Sequence, residues 1–246
     1  MALPKIKSPI FELTLPSTGK AVKYRPFLVK EQKILLMALE SQEQSEMIRA
    51  IKQIITNCAV DDIDVDDLPM FDLEYFFTRL RAKSIGEIID LKFQHPGGKN
   101  AKGVECDGTH EFKLNLMDVE VQKDAEHTTR IVLDEETKIG VVLRYPTMAI
   151  ADKLQGSESQ SQIETIIELV TKSVECIFDE ENVHPAEDSS PSEIAQFIND
   201  LSQEQFAKLT KFFSTMPKLA HTVEWKCGKC GQKEKVELEG MASFFG

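Results

Sequence analysis

HTVEWKCGKCGQKEKVELEGMASFFG, residues 221–246, alternates apolar and polar positions through Val223 and Trp225. It then turns at Cys227-Gly228-Lys229-Cys230-Gly231 and alternates again through Val236 and Leu238. The period of two on both sides of a glycine-bearing turn predicts a β-hairpin. A Cys-x-x-Cys pair at its tip sets two thiolates on one side of a sharp bend, where they can occupy two corners of a tetrahedral zinc site. A redox pair is the competing reading. It belongs where a strand meets a helix N-terminus, whereas strands flank this pair on both sides. Two ligands do not hold a structural zinc, so the remaining pair must come from elsewhere in the chain.

Sliding the stretch along the chain finds one register, with an offset of 124 residues between Cys106 and Cys230. Phe112 and Leu114 follow Cys106 as Val236 and Leu238 follow Cys230, and Met117 falls on Met241. Upstream, Leu91, Phe93 and His95 alternate as Val223, Trp225 and Cys227 do. The two residues between ligands in the second copy become ten, Pro96 to Glu105, in the first. One structural zinc is therefore expected, shared by two knuckle-like hairpins, with His95, Cys106, Cys227 and Cys230 as ligands and His110 in reserve. Cys58 and Cys176 fall on apolar helical faces and read as core thiols.

The chain has 246 residues, 41% of them hydrophobic and 28% charged, the balance of an ordinary globular protein. No apolar run approaches the ~20 residues of a membrane span, and the start is not signal-like, so a cytosolic origin and no membrane partner are expected. Five cysteines with one tight pair agree with a reducing compartment rather than a disulfide framework. The net charge of −12 opposes nucleic-acid binding by the whole surface.

Residues 1–28 form a basic β-hairpin on this reading: Phe11, Leu13 and Leu15 alternate, Pro16 to Gly19 turn, and Ala21 to Phe27 return; over residues 1–30, Lys5, Lys7, Lys20, Lys23, Arg25 and Lys30 face only Glu12. This surface is either a solvated polar strand face or a docking site for an acidic partner. Residues 29–87 are helical, with helices over Val29–Ser41, Gln44–Ala59 and Phe71–Ser84. The run Asp61 to Asp67 fails the calcium-loop pattern and reads as a polar link. Residues 88–121 hold the first knuckle. Residues 122–215 are an insertion: a hairpin over Thr129–Asp134 and Lys138–Tyr145, a short helix from Pro146 to Leu154, a polar linker over Gly156–Ser161, and a long amphipathic helix over Ile163–Phe178. A flexible acidic loop over Asp179–Ser190 and helices over Ser192–Leu201 and Gln203–Thr215 complete it. Residues 216–246 are the second knuckle. The expected fold is α+β, helices packed around small antiparallel hairpins with the two knuckles brought together and the segments forming one compact unit.

No phosphate-binding glycine loop, G-x-S-x-G elbow, H-E-x-x-H or dinucleotide fingerprint is present, and a zinc with four protein ligands is closed to substrate. A binding or structural protein without small-molecule substrate is the expectation, not an enzyme. The zinc substitutes for core in a small β-unit and fixes the helices that flank it. The tail Met241-Ala-Ser-Phe-Phe245 is either a docking anchor or a strand end tucked into the core.

Tyr24-Arg-Pro-Phe-Leu-Val-Lys-Glu-Gln-Lys-Ile-Leu-Leu-Met-Ala-Leu-Glu-Ser41, Phe71-Asp-Leu-Glu-Tyr75, Leu80-Arg-Ala-Lys-Ser-Ile-Gly-Glu87 and Glu239-Gly-Met-Ala-Ser-Phe-Phe245 resemble, in order, the baseplate hub proteins of T-even-type contractile-tailed phages. The resemblance implies a non-enzymatic protein of the virion tail baseplate, assembled in the host cytoplasm with other baseplate hub proteins as partners. It also implies a compact cysteine pair after Ser84 to Glu87, where this chain has His95 and the long spacer. Two alternatives stay open: a hub-assembly chaperone that leaves before the tail is complete, and a zinc-ribbon nucleic-acid adaptor. The second rests on Lys226, Lys229, Lys233 and Lys235, with Glu224, Glu234, Glu237 and Glu239 interleaved among them.

Overall fold

The N-terminal strands β1 (Phe11–Thr14) and β2 (Ala21–Tyr24) pair antiparallel, and their inward positions Leu13, Val22 and Tyr24 are buried. The structure, a computed structural model, describes residues 6–41, 43–100, 102–150 and 161–244. Helices α1 (Val29–Ser41), α2 (Gln44–Cys58) and α3 (Met70–Ser84) follow within a residue or so of the expected limits. Glu31 is fully buried at the start of α1, where it accepts from the Leu28 N–H and pairs with Arg25 at 3.1 Å. Cys58 is buried at the end of α2, and burial pushes its thiol up to about 11, as befits an inert core residue.

The chain separates into two compact units rather than the single one expected. Unit 1 comprises residues 1–65, 71–122 and 218–246, and unit 2 comprises residues 66–70 and 123–217. The physical reason is that the insertion closes a core of its own. In unit 1, β3 (Ile88–Gln94) pairs antiparallel with β4 (Thr109–Asn115), a short 3-10 turn follows at Leu116–Asp118, and β5 (Glu120–Gln122) comes next. The C-terminal hairpin of unit 1, β10 (Lys218–Lys226) and β11 (Lys233–Glu239), is extended by β5 into a sheet ordered β11-β10-β5. Leu91, Leu114, Leu116, Val223 and Leu238 from both hairpins share one core. Phe244 belongs to it at 1% exposure, so this part of the tail is core; Phe245 lies outside the described residues. Arg79 of α3 turns inward. Its guanidinium donates to the Leu116 and Val119 carbonyls at 2.8 and 3.0 Å and pairs with Glu120 at 2.6 Å, tying the turn after β4 to α3.

Unit 2 is a four-stranded antiparallel sheet, in the order β6 (Arg130–Val132), β7 (Gly140–Leu143), β8 (Val174–Phe178), β9 (Val183–Pro185), covered by α4 (Gln162–Ser173), α5 (Pro191–Asn199) and α6 (Gln203–Ser214). β6 (Arg130–Val132) and β7 (Gly140–Leu143) are the expected hairpin. The helix expected to reach Phe178 stops at Ser173, and Val174–Phe178 is strand β8 between β7 and β9 (Val183–Pro185). Val174 and Ile177 satisfy a helical period, but Val174, Cys176 and Phe178 also alternate. Two neighbouring strands supply the ladder that decides between them. Cys176 is accordingly on a strand, not a helical face. The expected flexible loop is ordered: the Asp179 carboxylate accepts the Glu181 and Asn182 N–H groups at 2.8 and 2.7 Å, and the chain enters β9 at once. Each of α4, α5 and α6 starts with a capping box, led by Ser161, Ser190 and Ser202. Residues 148–150 are helical; the remainder of the short helix and most of the polar linker fall outside the described residues. Among the described residues no helix is long and apolar enough to cross a membrane.

Candidate metal centre

The ladders of the two unit 1 hairpins correspond position by position. β3–β4 pairs Leu91 with Phe112 and Phe93 with His110; β10–β11 pairs Val223 with Val236 and Trp225 with Glu234. The terminal pairs also correspond, Ile88 with Asn115 against Ala220 with Glu239, and Gln94 with Thr109 against Lys226 with Lys233. Both second strands run into 3-10 turns, at Leu116–Asp118 and Met241–Phe244. His95 and Cys227 are thus each the first residue past equivalent strand ends.

The tips meet. One ligand atom from each of His95, Cys106, Cys227 and Cys230 lies within 4.8 Å of all the others. The Cys106 and Cys227 sulfurs are 3.8 Å apart, and His95 Nε2 is 3.4 Å from Cys230 Sγ. Zinc–sulfur bonds of ~2.3 Å in a tetrahedron put neighbouring sulfurs about 3.8 Å apart, so the donor spacing fits this ion. It does not fit a disulfide, and all described cysteines are free. His95, Cys106 and Cys227 are buried, with Trp225 packed among them and its ring centroid 5.2 Å from that of His95.

The surroundings favour thiolates on the second hairpin. The Cys230 N–H is the first cause that pulls Cys227 down to about 6, with the Lys229 N–H and His95 adding to it against burial. Cys230 is lowered chiefly by the Gln232 N–H. Cys106 accepts from the Gly108 N–H, yet burial and the neighbouring thiols leave it raised. His95 is raised, first by its hydrogen bond with Cys227. The short turn is closed by Gly231 N–H to the Cys227 carbonyl and Cys227 N–H to the Gln232 carbonyl, both at 2.9 Å, with Gly231 at φ 70°. The long spacer is organised by Asn100. Its side-chain oxygen accepts the Lys102 and Val104 N–H groups at 3.0 Å, and the Cys106 N–H reaches back to the Gly98 carbonyl at 2.8 Å.

Several residues that support the cluster are not apparent from ligand spacing. Glu234 Oε1 meets His95 Nδ1 at 3.0 Å, which orients the imidazole and directs Nε2 at the sulfurs. Gly108 approaches so closely that a Cβ there would stand 2.3 Å from Cys227 Sγ and 3.3 Å from Cys106 Sγ. Asp107 and Lys229 form an ion pair across the two tips. His110, the reserve ligand, is outside the cluster and stacks on Trp225 at 5.6 Å and 12°. The ladder correspondence carries the missing signal: His110 and Glu234 are equivalent positions, each the second residue of its strand and four residues after Cys106 or Cys230. Each reaches across to the other hairpin, His110 to Trp225 and Glu234 to His95.

Of the residues outside the centre, His127 is a half-buried, hydrogen-bonded histidine of unit 2. Its ring nitrogens meet Thr215 Oγ1 at 3.0 Å and the Tyr145 hydroxyl at 3.1 Å, and burial lowers its pKa. None of the curated proteins and none of the solved structures matches the chain. The model of one family, T4 bacteriophage base plate protein, matches residues 8–246. With a match over nearly its whole length, the chain belongs to the T4 bacteriophage base plate protein family, a structural or assembly protein of the phage tail baseplate.

Proposed function

We propose that the protein works at the central hub of the baseplate, with other hub proteins as partners, and that one structural zinc held by His95, Cys106, Cys227 and Cys230 locks unit 1. The observation that carries the zinc is the meeting of three sulfurs and one imidazole nitrogen within 4.8 Å of one another, with His95, Cys106 and Cys227 buried. When bound, the ion supplies four bonds in place of core to hairpins 124 residues apart in sequence. Four protein donors leave no open position, which supports a non-catalytic role. Pairing of Lys229 with Asp107 and of Lys218 with Glu239 supports protein partners over nucleic acid.

Host cells supply the assembly setting, and quantitative mass spectrometry of purified tails and finished particles tests the role. The chain at fixed stoichiometry in both, cross-linked to hub proteins, is the expected result. Presence in hub intermediates but absence from particles would instead assign it as a transient assembly chaperone. Cross-links only to peripheral baseplate proteins would remove the hub assignment.

A further inference from the structure

The net charge is unevenly divided. Unit 1 carries 21 Lys and Arg against 21 Asp and Glu, whereas unit 2 carries 8 against 20, so the whole of −12 lies on unit 2. Unit 2 also holds a groove of about 710 Å³, within the ~300–1,000 Å³ typical of binding pockets. Its walls include Ile150, Val174, Val183 and Pro191, with the carboxylates Glu175 and Glu187. Val183, on the edge strand β9, is 61% exposed. Two cations also line it, Arg144 and Lys172, and the second is paired with Glu168.

A segment of matching chemistry is present in the same chain. Residues 6–10, Ile-Lys-Ser-Pro-Ile, run into β1 without secondary structure, with Ile6 96% and Ile10 61% exposed. Lys7 lies between them, and the adjoining hairpin presents Lys20 and Lys23. Two branched apolar side chains in water, on a basic arm, complement an apolar groove on an acidic unit.

We propose that a second copy of this chain fills the groove: the arm Ile6–Ile10 of one copy docks in the unit 2 groove of the next. The isoleucines enter the apolar wall, and Lys7 and the hairpin lysines face the acidic unit. Arm and groove are different surfaces, so the contact is heterologous, and copies join head to tail into a ring or an open chain. The contact does not depend on the metal centre or on the hub assignment.

Sedimentation velocity of the full-length protein tests it. Concentration-dependent association is expected, weakened about tenfold or more as salt rises from ~0.05 to ~0.5 M. The arm variant Ile6→Asp/Ile10→Asp and the groove variant Val183→Arg alter exposed positions, so both should melt as the wild type does, and each alone should be monomeric. Mixed in equal amounts they should form a 1:1 heterodimer and stop there, because the one unused arm and the one unused groove are both blocked. Wild type that stays monomeric at ~100 μM, association that survives either variant, or variants that fail to pair when mixed would overturn the proposal. The first of these with the arm protected from proteolysis would indicate docking within one chain.

Discussion

The hairpins β3–β4 and β10–β11 pair the same seven positions, yet 14 residues separate the strands of the first and six those of the second. The ladder is specified by alternation, because a slip of one residue would turn Leu91, Leu114, Val223 and Leu238 out of their shared core. The loop is free to vary if it returns its donor to the same place. The long loop does so through Asn100 and the Gly98–Cys106 hydrogen bond, and the short one through the Gly231 turn. Two unlike loops therefore deliver one cluster of candidate donors, and if they share a metal its removal should affect unit 1 and spare unit 2.

The largest expected effect follows from that contrast. Chelation should destabilise unit 1 by more than ~4 kcal/mol, the range of losses such as a structural metal. Hydrogen exchange read by mass spectrometry should show β3, β4, β10 and β11 opening while β6–β8 stay protected. Equal opening of both units would remove the distinction between them. Next in size is Gly108→Ala, whose Cβ collides with Cys227 Sγ and should cost about 1–3 kcal/mol by overpacking, seen as a lower Tm with metal bound. An unchanged Tm and metal affinity would mean that the tips do not approach as closely as this.

Glu234→Gln leaves the fold intact but weakens the partner of His95 Nδ1. Zinc affinity should fall roughly 10–100-fold in a competition titration, with little change in Tm at saturating metal. The smallest effect belongs to unit 2. Burial holds His127 below its ordinary value, so the unfolded chain takes up a proton before the folded one does. Its contribution to stability is complete above about pH 6.5 and declines as pH falls toward the lower folded value. His127→Gln should flatten this part of the Tm–pH profile of unit 2, and a profile with the same slope in the variant would discount the assignment.

Much of unit 1 is legible in the sequence because its signals are local and repeated. The Cys227-x-x-Cys230 turn, the alternation on each side and the matching distances from Cys106 to Phe112 and Leu114 point to the four residues that the fold brings together. The supporting contacts are less legible. Gly108 is one glycine among twelve, and Glu234 is one of several acids on β11; only the three-dimensional approach of the tips distinguishes them. In unit 2, residues 174–178 satisfy both the helical and the strand period. The choice is made by β7 and β9, which are distant or unrecognised in a single pass along the chain. Asp179 turns an acidic stretch of loop-like composition into an ordered hairpin by accepting two N–H groups, an effect of geometry rather than composition.

The central claim is that two hairpins far apart in sequence share one metal. Zinc content per chain, measured by mass spectrometry on tag-free wild type, Cys106→Ser and Cys230→Ser, tests it most directly. One zinc per chain, lost from both variants together with the melting transition of unit 1, is the predicted result. Zinc retained at full stoichiometry and affinity in Cys106→Ser, or no zinc in the wild type, would contradict it.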